Sequence, residues 1–183
     1  MFRERRQERR EERREERRGG GMTQFRMRQK IVSIGDDFWI ENDRGERSYK
    51  VDGKALRVRD TLILEDANGR ELYRIQAKVV RVRDTMDIED ANGSTVATVK
   101  KALIDPLRER WEVDVTNGPG LDVKGNIVDH EYTIESDGRK VAEVSKRWFR
   151  VADTYGVEVS DDVDPAFVLA VTVVVDAMSH PDR

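Results

Sequence analysis

Arg57 and Arg59, Arg81 and Arg83, and Arg150 stand in three copies of one short motif, RVRDT at 57–61 and 81–85 and RVADT at 150–154. Arginines at i and i+2 share one face of a strand. Stacked across neighbouring strands, they form a stripe that suits phosphate, because a planar guanidinium makes bidentate, charge-assisted hydrogen bonds to it. This is anion-binding chemistry rather than bond-making chemistry. The competing reading is that acidic residues on adjacent strands neutralise the stripe, since any exposed basic face needs only to be solvated or paired.

Residues suited to catalysis are sparse. Paired carboxylates can do acid and base work, but Asp60, Asp84 and Asp153 recur with the motif itself and are assigned to strand junctions. No serine lies in a G-x-S-x-G context. The chain has no cysteine, which removes disulfides, thiolate metal sites and a thiol nucleophile. Of the two histidines, His130 is expected to be a half-exposed residue at a strand start, and His180 sits in a terminal MSHPDR. Gly118, Pro119, Gly120 and Gly125 lack the strand-to-helix setting of a phosphate-binding loop. Asp161, Asp162 and Asp164 could attract calcium, yet they lack EF-hand spacing, and acidic residues before a helix already have a capping role. No cofactor and no metal are expected, and the chain is read as a non-enzyme.

The order of charge along the chain limits its partners. Residues 1–18, MFRERRQERREERREERR, interleave Arg with Glu and run into three glycines. This low-complexity segment reads as an arginine-rich arm for polyanions, as a solvated tail, or as residues ahead of a start at Met22. Glu cancels most of the field an arm would need. Net charge is −3 over the whole chain, and the body without the tail is more acidic, which argues against general adhesion to nucleic acid or to anionic membranes. Residues 1–21 are assigned to a tail and glycine linker and 22–183 to one domain. An apolar signal region is not seen, and a cytoplasmic location, peripheral at a membrane, is expected.

The elements that position the arginines come from a repeat. KALRVRDTLILEDANGRELYRIQA at 54–77 is followed directly by KVVRVRDTMDIEDANGSTVATVKK at 78–101, and residues 38–53 superpose on 62–77 without a gap. Ile40, Leu64 and Ile88 fall in register. Each unit reads as strand, tight turn, strand, with turns at Asp66-Ala67-Asn68-Gly69, Asp90-Ala91-Asn92-Gly93, Asn42-Asp43-Arg44-Gly45 and Ser136-Asp137-Gly138. About a dozen alternating strands built this way must protect their edges or close. Asp164 and Pro165 form an N-cap and N1 pair ahead of AFVLAVTVVV at 166–175, an all-apolar run shorter than a membrane span. Such a run fits a helix buried inside a wide barrel. Its valines also allow a final buried strand.

The segment from Met27, MRQKIVSIGDDFWIENDRGERSYKVDGKALRVRDTLILEDANG, together with the closing VDPAFVLAVTVVVDAM, resembles the LURP-one-related family, which groups with tubby C-terminal and phospholipid-scramblase-like folds. The resemblance covers roughly residues 25–178. It implies a mainly β fold, a closed antiparallel barrel of about twelve strands around a buried hydrophobic C-terminal helix. Members are connected with plant defence and have no established catalysis. Tubby relatives bind phosphoinositides, and scramblase relatives act at membranes with calcium, but none of their contact residues transfers onto this chain. The expected function is that of a binding or scaffold module for anionic phospholipid head groups. The alternatives are a protein-interaction scaffold and, less favoured, an enzyme.

Overall fold

The computed structural model describes residues 21–28, 37–56, 59–77, 85–102, 110–149 and 154–179. Twelve strands follow in chain order: β1 (Met22–Arg28), β2 (Phe38–Asn42), β3 (Arg47–Leu56), β4 (Arg59–Asp66), β5 (Glu71–Ala77), β6 (Thr85–Asp90), β7 (Thr95–Ala102), β8 (Arg110–Val115), β9 (Leu121–Asn126), β10 (Glu131–Ser136), β11 (Arg139–Ser145) and β12 (Thr154–Ser160). Each pairs antiparallel with the next, and β1 closes the ring against β12, from Met22 opposite Ser160 to Arg28 opposite Thr154. Closure leaves no strand edge open to a second chain.

The repeat accounts for the hairpins atom by atom. In the β2–β3, β4–β5 and β6–β7 turns, the side-chain oxygen of Asn42, Asp66 or Asp90 accepts from the backbone N–H groups two and four residues later. Gly45, Gly69 and Gly93 take φ near +80°, at 77°, 80° and 82°. In that region a Cβ would clash, so glycine completes the turn without strain. A register shift follows Ile40, Leu64 and Ile88 in each hairpin. All three side chains point into the barrel and are fully buried.

The interior is filled by helix α1 (Pro165–Ser179). Asp164 caps it, its carboxylate accepting from the Ala166 N–H at 3.0 Å. Leu169, Val171, Val173, Val174 and Val175 are shielded from solvent on every side. The helix therefore prevails over the strand that the valines favour locally. A single helix satisfies its own backbone inside a ring whose strands are already paired, whereas a thirteenth strand there would have no ladder to join. The apolar run ends at Asp176, and the helix continues beyond it to Ser179 with Asp176 enclosed.

One glycine is required by close approach. Gly125 of β9 has φ 136°, and a Cβ there would lie 2.6 Å from the Glu131 carbonyl oxygen and 2.8 Å from Tyr132 Cα on β10. Backbone cannot yield as a flexible side chain can. Gly125→Ala is expected to destabilise the protein by about 2–3 kcal/mol, and a urea titration against wild type measures it.

Candidate functional site

An up-and-down ring has two rims. The helix enters at one, beside the β2–β3, β4–β5, β6–β7, β8–β9 and β10–β11 turns; the other carries the β9–β10 turn and the ends of β1, β3, β5, β7 and β11. Leu56 and Arg59, Ala77 and Thr85, and Phe149 and Thr154, the described positions that bracket the RVRDT copies, all belong to that far rim. Arg57, Arg81, Arg83 and Arg150 lie outside the described residues, as do Asp84 and Asp153. Arg59 opens β4 opposite Leu56, and Asp60 stands opposite Ala55.

The outer wall below this rim is electrically occupied. Arg26 meets Glu41 at 3.3 Å, Lys50 meets Asp37 at 2.8 Å, Arg110 meets Asp122 at 2.6 Å and Lys124 meets Glu135 at 2.8 Å. These pairs are exposed or half-exposed, so each contributes little stability. Their consequence for binding is that these four wall cations already face carboxylates.

The acidic residues before the helix separate rather than converge. Asp161 accepts from the Thr23 hydroxyl at 2.9 Å and its N–H bonds the Gly21 carbonyl, while the Asp162 N–H turns to Ser160. Asp164 caps the helix and accepts from the Tyr73 hydroxyl at 2.6 Å. Among the described residues no three His, Asp or Glu side chains converge as a metal-binding group.

At the helix-entry rim lies an open cleft of about 670 Å³, with Phe25, Tyr49, Tyr73, Asp66 and Asp164 among its lining residues. Tyr49 lies opposite Asp66 across β3 and β4, and Phe25 meets Tyr49 with ring centroids 5.8 Å apart. Tyr73 packs on Phe167 at 5.9 Å. Burial is the main reason the Tyr49 phenol is held above its usual range, with the Asp164 and Asp66 charges adding to it. Tyr73 is pushed further up by burial, then by its hydrogen bond to Asp164 and that carboxylate's charge. Asp66 is shifted down, chiefly by the Arg70 backbone N–H, so its carboxylate stays charged.

Sequence reasoning missed this cleft, although a signal for it was present. Phe25, Tyr49 and Tyr73 recur at the repeat period on alternate strands, and Ala97 follows in the next copy. Each is ordinary core material taken alone.

The barrel interior holds a second feature that went unrecognised. His130, expected to be half-exposed, is 2% exposed, and its Nε2 lies 2.5 Å from Asp176 Oδ1. It occupies the left-handed region at φ 54°, closes the β9–β10 turn through its N–H to the Ile127 carbonyl, and stacks on Tyr155 at 4.3 Å. The turn aims the ring inward, where the pair ties the far rim to the helix. Burial, reinforced by the Asp176 charge, raises the Tyr132 and Tyr155 phenols well above their usual range.

No helix among the described residues is long and apolar enough to cross a membrane. A solved X-ray structure of a protein from Arabidopsis thaliana has the same fold, with a TM-score of 0.63 and 18% identity over 85% of this chain and 90% of that one. No curated protein sequence matches the chain. The LURP-one-related family model matches residues 23–176, from the start of the barrel wall to the Asp176 carboxylate inside it, and the chain belongs to that family.

Proposed function

We propose that the protein is a non-enzymatic binding module that holds anionic phospholipid head groups, in the cytoplasm at a membrane surface, through Arg57, Arg59, Arg81, Arg83 and Arg150. The observation that carries this reading is the sharing of one rim by the strand ends that bracket all five arginines. Two further facts support it. The interior is filled by the buried side chains of α1, and the wall cations Arg26, Arg110 and Lys124 are paired with acids. The His130–Asp176 pair resembles catalytic machinery, but at 2% and 4% exposure it cannot meet a substrate.

Flotation with phosphatidylcholine vesicles, with and without phosphatidylserine or phosphoinositide, tests the reading. Wild type should float only with the anionic vesicles and be released by salt. Replacing Arg57, Arg59, Arg81 and Arg83 together by Ala should remove retention, since each basic residue near such a surface contributes about 1 kcal/mol. Equal retention on neutral and anionic vesicles, or none on either, would refute the proposal.

A further inference from the structure

The cleft at the helix-entry rim has the chemistry of a second site, at the opposite end of the barrel from the one proposed for anionic lipid. Its volume, about 670 Å³, lies within the range of small-molecule sites, and barrel mouths are a usual place for them. The Phe25 and Tyr49 rings pack at a tilt of 59° on the barrel side. Tyr73 comes from β5 and is fixed by its bond to Asp164 and its packing on Phe167. The Asp164 carboxylate sits at the mouth of the helix.

The sign of the field comes from the side chains already present. Asp164 disfavours ionisation of both Tyr49 and Tyr73, so the phenols on the two sides of the cleft experience the same negative charge. The arginines that reach the cleft are committed elsewhere. The Arg47 guanidinium lies 4.8 Å over the Trp39 ring, and Arg70 Nε is bonded to Asp66 at 3.1 Å. Nearest the tyrosine rings, the charge is that of Asp164, whose carboxylate accepts from the Tyr73 hydroxyl. A small metal ion would need converging ligands, and the described residues supply none. A diffuse cation on an apolar body fits better, because aromatic faces attract it and its weak hydration makes burial cheap.

We propose that this cleft binds an organic ammonium ion, seated against the half-buried Tyr49 and Tyr73 rings with its charge facing Asp164. The ion could be free or carried on a lipid head group, and the chemistry of recognition is the same for both.

Isothermal titration of the full chain with choline, and with its neutral carbon isostere dimethylbutanol, is the test. Choline should bind saturably, with the isostere weaker on the order of tenfold or more. Asp164→Asn keeps an N-cap acceptor while deleting the charge, and Tyr49→Leu keeps bulk while deleting the π face. Each should weaken choline binding on the order of tenfold with the thermal midpoint held. Equal binding of the isostere, unchanged affinity in Asp164→Asn, or no saturable choline heat would overturn the proposal. The source is assigned by phosphatidylcholine vesicles. Retention that choline displaces identifies the lipid head group, and choline binding without retention identifies a free ammonium ion; both outcomes uphold the site. Arginine variants at the other rim should leave choline binding intact, so this site and the anionic-lipid reading fail separately.

Discussion

Val173→Asp yields no cooperatively folded protein. Val173 lies in the buried stretch of α1 and has no solvent contact, so the new carboxylate would enter the mainly apolar core away from solvent. A charge buried without a partner is costly enough that the group protonates or the fold opens, and even the neutral acid is an unsatisfied polar group in a tightly packed space. Because α1 is the core against which the wall packs, local relief is not available. Val173→Ala provides the graded control. It deletes two methyl groups, leaves the helix intact and should cost roughly 2 kcal/mol. Soluble expression followed by thermal melting in the far-ultraviolet separates the outcomes. A Val173→Asp protein that is soluble and melts near the wild-type midpoint would contradict a barrel filled by its helix.

Asp176→Ala is expected to cost about 3–5 kcal/mol, because it breaks a buried pair by removing one partner. His130 is held in a left-handed turn with its ring enclosed beside Tyr155, so it cannot turn to water when its partner is removed. Asp176→Asn retains an acceptor for His130 and should cost less. In a double-mutant cycle, His130→Ala should lose much of its effect once Asp176 is gone, since neighbours in one network are not additive. Urea unfolding of the four proteins gives the coupling. Additive costs within a few tenths of a kcal/mol would show that the two residues act independently.

These two experiments examine different kinds of information in the chain. Val173 was legible from local pattern, as the centre of an apolar run too short to cross a membrane and introduced by an Asp-Pro cap. Asp176 was legible only as the residue where that run stops. Its partner is 46 residues earlier, and nothing local connects a helical aspartate to a histidine in a hairpin turn. The same distinction holds for the cleft. The spacing of Phe25, Tyr49 and Tyr73 is written in the repeat, but Asp164 reaches the two tyrosines only because the barrel closes and the helix enters at their rim.

The sequence by itself determined the hairpins, their turn residues, the inward-facing set Ile40, Leu64 and Ile88, and the capped apolar helix, because each depends on contacts within a few residues or on a repeated period. It also determined where the arginine pairs recur. Only the tertiary structure decided which rim their flanking strands share, that Asp176 and His130 meet inside, and that an aromatic cleft beside Asp164 opens at the opposite end. Those outcomes depend on ring closure and on helix direction, which join positions 46 residues apart for His130 and Asp176 and 91 apart for Tyr73 and Asp164.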